Sequence, residues 1–457
     1  MDGRDFACRV ALLIALGTGQ AEAAPDRDEQ PAAEAPAVSP EPDATAPVER
    51  EGRLEGEAGR DLGNALLYIP RNTLDYLFRG TQAAANLVAT EQLVPRYRRL
   101  LGIPDGAQLF VFPTFFAETG RPLSAGLRLF SSSRHVTTQQ RFGFGGRNDV
   151  VIESELLFKV TGPVPMAISL EGFYELASTR TFRGVGITPS IDRRNEFRGA
   201  AGIGRYRERR VRYLASFGVR ASNAIEVFLS TSVQRRLIRD PVDPEDDALT
   251  RVFDDDSLSG LDPLQPWRVY SEVAARIDTR ATRGRPVPGV LVEAYGGASR
   301  SFEPEPLTFL RLGWRVQGFV PVYRKTNIIS PRLVVDRIVR LDDLPVPFYE
   351  VPGQPDFRGR DNRRDDLSLV AGIDYAWRLV DFLNARTFID FATVAPGISD
   401  FTFEQIKQIR YAVGAGLDVF STDATLASLL VSTSPDGARL LFSLGGRDGF
   451  GDRQTRE

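Results

Sequence analysis

Thiols and imidazoles are almost missing from this chain: one cysteine, Cys8, and one histidine, His135, stand among 457 residues. A zinc site of the usual cysteine and histidine ligands cannot be assembled, and no disulfide can close within one copy. Lysine is nearly as scarce. Only Lys159, Lys325 and Lys407 occur, so the 57 basic residues less these three leave 54 arginines, a bias that a G+C-rich coding sequence explains without functional demand. No G-x-S-x-G nucleophile elbow occurs, and beyond the N-terminus no apolar run reaches the roughly 18 residues of a spanning helix. The 57 basic and 60 acidic residues nearly cancel, so neither nucleic acid nor an acidic partner is indicated. Thiolate, imidazole-zinc and serine-nucleophile chemistry therefore have no candidate residues.

Glycine (41 residues), phenylalanine (29) and proline (30) are plentiful instead, and they fall in distinct regions. Residues 1–23 read as a secretory signal peptide. Arg4 and Arg9 supply its charge, Val10 to Leu16 its apolar core, and Ala21-Glu22-Ala23 a small-x-small cleavage site. The single cysteine would leave with it. Residues 24–60 are rich in Ala, Pro and Glu and read as a disordered linker. Residues 61–104 read as a periplasmic helical segment, broken near Pro70 and capped at Gly102, with Leu74, Leu77, Phe78 and Val88 at helical spacing. It would pack on the body of the protein or lie at a pore mouth.

From about Gln108 the period falls to two. Leu310, Leu312, Trp314 and Val316 alternate with Arg311, Gly313, Arg315 and Gln317. In the same way Val269, Val273, Ala275 and Ile277 alternate with Arg268, Glu272, Arg276 and Asp278. Near the C-terminus, Tyr411, Val413 and Ala415 alternate with Arg410, Gly414 and Gly416. One face of each strand is oily and the other ionic. A soluble sandwich also alternates, but strands of about ten residues are the length that crosses a bilayer when tilted. Short turns such as Ser434 to Gly437 are expected to alternate with long polar loops such as Asp240 to Pro266. In lipid every backbone polar group must be paired, so the strands must close. Dividing residues 105–450 by about 20 to 22 per strand and connection gives an all-β transmembrane barrel of about 16 antiparallel strands, with residues 451–457 as a tail. The last strand is expected at Arg439 to Gly446, with Leu440, Phe442 and Leu444 outward.

Other local features have plain explanations. His135 follows Ser133-Arg134 in a loop. Gly143, Gly145 and Gly146 resemble a phosphate cradle, but no helix pattern follows them, so lumen-facing or turn glycines are the better account. The carboxylates of Glu245 to Asp247 and Asp254-Asp255 lie in one long polar loop, where a solvated acidic surface is the better account than a weak Ca²⁺ site.

Four segments, in order, carry a family resemblance. They are Asp278-Thr279-Arg280 with Pro286 and Gly289; Pro345-Val346-Pro347-Phe348-Tyr349-Glu350; Phe357-Arg358-Gly359-Arg360; and Phe388-Ile389-Asp390-Phe391-Ala392. Together they resemble the barrel domain of the Omp85 superfamily, the bacterial surface antigen D15 family, over about Gln108 to Phe450. The second segment resembles the lead into the family's sixth extracellular loop, the third that loop's R-G signature, and the fourth its F-x-D-x-G strand, with Ala392 in place of glycine. The periplasmic POTRA repeats of the best-known members have no counterpart pattern in residues 24–104.

The resemblance implies a loop folded into the lumen with Arg358 anchored to the strand pair that carries Asp374 and Asp390. Phe388, Asp390 and Ala392 share a face, as do Gly372 and Asp374, so either carboxylate can hold Arg358 in a charge-assisted pair. It also implies a bacterial outer-membrane location and a role in inserting or translocating protein or lipid substrates. The partners would be outer-membrane lipid, a protein or lipid client and a periplasmic or lipoprotein partner. A passive anion-preferring channel or structural barrel is the alternative.

Overall fold

The computed structural model describes residues 108–444, apart from 119–123, 134, 146–148, 201, 244, 255–257, 259–264, 303–306, 323–325, 343–344, 361–362, 381, 401–406 and 421–424. The expected signal peptide, linker, helical segment and tail, with Gly146, lie outside the described residues.

Sixteen strands run in sequence: β1 (Gln108–Glu118), β2 (Ser124–Ser132), β3 (Val136–Gly145), β4 (Asp149–Val160), β5 (Met166–Phe182), β6 (Gly204–Arg220), β7 (Ile225–Arg239) and β8 (Arg268–Asp278) form the first half. The second half comprises β9 (Gly289–Ser301), β10 (Thr308–Pro321), β11 (Asn327–Arg340), β12 (Leu367–Val380), β13 (Leu383–Ala395), β14 (Arg410–Phe420), β15 (Thr425–Ser434) and β16 (Gly437–Leu444). Each strand pairs antiparallel with its neighbours in sequence, and β1 returns to β16, closing the barrel. Closure removes the unpaired edges that a bilayer would not tolerate.

The two faces of each strand meet different solvents. In β8 Val273 is 55% exposed while its neighbour Glu272 is 1% exposed; in β7 Leu229 is 55% exposed and Glu226 is fully buried. Apolar side chains therefore form the outer belt and charged ones fill the lumen. A buried charge is costly unless paired, and the lumen wall meets that demand with a ladder of ion pairs. Arg276 donates to Glu293 at 2.8 Å, Arg212 lies 3.2 Å from Glu171, and Arg311 pairs with Asp336 on the neighbouring strand.

The two ends of the barrel differ. Connections from even to odd strands are short, the longest being 279–288, whereas 183–203, 240–267, 341–366 and 396–409 all emerge at the opposite end. This corrects one expectation: the tight turn at Ser434 to Gly437 shares the long-loop end with 240–267, because both follow odd-numbered strands. The last strand also begins at Gly437 rather than Arg439. Leu440 is exposed as expected, while the side chain of Leu444, and Gly445 and Gly446, lie outside the described residues. At the long-loop end β5 and β6 extend to 17 residues each, and an aromatic cluster of Phe182, Tyr206, Phe253 and Phe348 seals them to the loops. A single helical turn, Leu249–Val252, completes that seal.

Candidate functional site

The loop 341–366 does not stand out from the barrel end; it crosses the lumen. Its first half docks on the β6–β8 wall. Phe348 is buried in the aromatic cluster, 4.7 Å from Phe182 between ring centroids. Pro347 starts a turn in which its carbonyl accepts the Glu350 N–H at 2.8 Å. That turn aims Glu350 at Arg268 (2.9 Å) and Arg236 (3.6 Å), with the Gln234 amide donating at 3.3 Å.

The second half reaches the opposite wall. Phe357 is buried against Val370, Ala392 and Ala412, so the alanine that departs from the F-x-D-x-G pattern forms the floor of its pocket. Gly359 lies beside that pocket, where an added Cβ would fall 2.6 Å from both Ala412 and the Phe357 ring. The chain can therefore approach β14 only without a side chain there.

Arg358 is the centre of the arrangement. Its Nε and Nη2 donate to the two oxygens of Asp390 at 2.8 and 2.6 Å, and its backbone N–H donates to the same carboxylate at 3.1 Å. Nη1 donates to Asp374, and the guanidinium carbon sits 3.6 Å from the centroid of the Phe388 ring. The alternation of β12 and β13 produces this convergence. Asp374 pairs with Phe388 in register and Gly372 with Asp390, and a Cβ at Gly372 would collide with the Asp390 carboxylate.

Several participants were not anticipated. Arg332 of β11 donates to Asp390 at 2.8 Å and to the Asp356 carbonyl at 2.8 Å, while Arg315 of β10 pairs with the Asp356 carboxylate. On the other side, the Ser432 hydroxyl donates to the Arg358 carbonyl at 2.7 Å and Arg439 donates to the Gly359 carbonyl at 2.8 Å. The Arg360 N–H donates to Ser434 at 3.1 Å. The loop tip is thus tied to every strand from β10 to β13 and to β15 and β16. The lumen-face parity of Arg332 and Arg439 was a usable signal; their partner was not.

The D-T-R segment lies at the other end of the lumen. Asp278 closes β8 and holds Arg280 through paired hydrogen bonds of 3.0 and 2.8 Å. Gly289 opens β9 at φ +151°, where a Cβ would sit 2.9 Å from the Arg280 backbone, and Pro286 lies in the turn between. This turn folds inward, and the Thr425 hydroxyl at the foot of β15 donates to the Gly284 carbonyl at 2.6 Å. Between turn and loop remains a cavity of about 250 Å³ lined by Arg280, Arg332, Arg358, Arg386, Asp374 and Asp418. Two of the four motifs therefore face one chamber, while Glu350 serves the far wall.

A further tie joins two loops. Arg194, in 183–203, donates to both oxygens of Asp365 at 2.7 and 2.9 Å and also clamps Asp192. Burial pushes the Asp192 carboxyl up, but the hydrogen bonds and charge of Arg194 outweigh it and hold the group below its ordinary value. The remaining candidates are bland. His135 sits on an exposed turn with Nδ1 3.3 Å from the Lys159 carbonyl. Gly143 and Gly145 belong to β3, which leads to a strand and not to a helix. Asp246 pairs with Arg205, and Asp254 lies 3.8 Å from Arg198.

No family model and no curated protein matches the sequence. Among solved structures the chain is similar to BamA from Haemophilus ducreyi lacking POTRA domains 1-3, at 11% identity over 75% of this chain and 70% of that one, with a TM-score of 0.48. It is also similar to CdiB from Acinetobacter baumannii, at 7% identity over 74% of this chain and 60% of that one, with a TM-score of 0.43.

Proposed function

We propose that this chain is an outer-membrane barrel of the Omp85 type, exported by a cleaved signal peptide, which assists insertion or translocation of protein or lipid substrates. The observation that carries the reading is the junction of β1 and β16. These strands are in register only at Ala117↔Leu440 and Glu118↔Arg439, next to the long loops. By contrast β16 pairs with β15 from Ala427↔Leu444 to Ser434↔Gly437, and β1 with β2 from Gln108↔Ser132 to Phe116↔Ser124. A junction held by so few backbone hydrogen bonds is the place where a closed barrel opens most cheaply, and an opened edge offers its unpaired groups to an incoming strand.

The lumenal loop gives that seam its support. Arg439 is both the β16 partner of Glu118 and the donor to the Gly359 carbonyl, so the loop tip braces the strand that would have to move. Insertion of a client through the seam needs no open pore, which is consistent with a lumen crossed by a loop and lined with paired charges. The test is reconstitution. Vesicles containing the protein should accelerate folding of an added outer-membrane barrel over empty vesicles. A large, steady anion-selective current without any such acceleration would favour the passive channel.

A further inference from the structure

A feature on the outer surface belongs neither to the seam nor to the lumen. On β6 the outward positions run through Phe217, Ala215, Tyr213 and Val211 and then change, towards the long loops, to Arg209, Arg207 and Arg205. On β7 they run from Ile225 to Val233 and then reach Arg235 and Arg239. Register sets Val211 opposite Arg235, Arg209 opposite Leu237 and Arg207 opposite Arg239, so the two strands switch within two residues of each other. The uncharged outward stretch from Ile225 to Val233, apolar except for Thr231, at about 3.3 Å per residue and a tilt of about 40°, rises about 20 Å along the membrane normal. That nearly fills the roughly 25 Å apolar band of such barrels. Arg209 and Arg235 therefore stand at the polar edge of the bilayer, where lipid phosphates lie.

Protein carboxylates take up only part of this charge. Arg205 pairs with Asp246, and Arg235 donates to the Gln265 carbonyl at 3.0 Å. Among the described residues, no carboxylate pairs with Arg207, Arg209 or Arg239. The clustering is particular to β6 and β7: at the same end β8 and β10 carry Val269, Ser271, Thr308 and Leu310 outward, and β9 and β11 carry one arginine each, Arg300 and Arg337. Tyr174 adds an aromatic ring 5.9 Å from the Arg209 guanidinium, at the same edge.

We propose that Arg207, Arg209 and Arg239, flanked by Arg205 and Arg235, bind the phosphates of a phosphorylated lipid in the leaflet on the long-loop side. Guanidinium groups match phosphate geometry through paired hydrogen bonds and attract it electrostatically at the membrane surface. This assignment rests on the membrane-barrel reading, and the experiment separates the two. Wild type, the triple variant R207Q/R209Q/R239Q and the control R300Q/R337Q, whose arginines face outward singly on β9 and β11, are folded into phosphatidylcholine vesicles doped with diphosphoryl lipid A. After transfer to mild detergent, retained lipid is read by native mass spectrometry. Wild type and control should retain lipid A, inorganic phosphate should not displace it, and the triple variant should retain roughly tenfold less or lower still. Wild type given dephosphorylated lipid should behave like the triple variant, a comparison that needs no substitution. Equal retention by the triple variant, or of the dephosphorylated lipid, would overturn the assignment. Failure of wild type to fold in phosphatidylcholine vesicles would overturn the membrane reading itself, and the lipid site with it.

Discussion

Arg358 holds its guanidinium over the ring of Phe388 and donates two hydrogen bonds to Asp390, two residues further along the same strand. The strand period of two makes this possible, since it presents a π face and a carboxylate side by side on the lumen wall. Arg358→Ala removes both contacts and leaves Asp390, which is fully buried, with Arg332 as its remaining cation. A loss of about 3 kcal/mol is expected for breaking such a pair, visible as a smaller folded band in unheated electrophoresis and a lower urea midpoint. Arg358→Lys should fall between, because an ammonium cannot make the paired contact. Arg360→Ala should do much less, since its contact with Ser434 is made by the backbone.

Ala392 tests the floor of the Phe357 pocket. Its side chain is fully buried, so Ala392→Leu overpacks the site, at a cost of about 1–3 kcal/mol. The loop tip should be expelled, with faster hydrogen exchange over residues 356–360. Ala392→Gly, which would complete an F-x-D-x-G pattern, should leave the tip in place, with only slight loosening of Phe357.

The loop pair at the long-loop end should respond to acid. The Asp192 carboxyl titrates below its ordinary value when folded, so its contribution is fully present above the unfolded carboxylate value near pH 4 and is lost as pH falls through the folded one. Docking of 183–203 on Asp365, followed by hydrogen exchange, should therefore hold at neutral pH and weaken below about pH 4. Arg194→Ala should release the loop at all pH values and flatten that dependence.

The alternation and the shared face of Asp374 and Asp390 were legible because they depend on local order, the count of about sixteen strands followed from length, and Arg358 as the group those carboxylates hold came from the resemblance, which left open that both would be used at once. A strand between lipid and lumen writes its environment into successive residues, and residues two apart share a face. The contacts of Arg332, Ser432 and Arg439 were not legible, because they depend on where a loop of more than twenty residues lands after crossing the lumen. Arg194 with Asp365 is a meeting of two loops whose pattern carries no period. Which turns share an end was equally hidden, as the corrected placement of Ser434 to Gly437 illustrates; it follows only from counting strands.

Opening of the β1–β16 junction is put to the test by a lock across it. Ala117 and Leu440 are register partners, and with Cys8 replaced by serine the chain has no other thiol. The double variant A117C/L440C would be reconstituted, oxidised, and assayed for acceleration of client-barrel folding, before and after reduction. If the junction opens, the oxidised protein loses the acceleration and reduction restores it, with the barrel folded in both states. Full activity of the locked barrel would contradict the account.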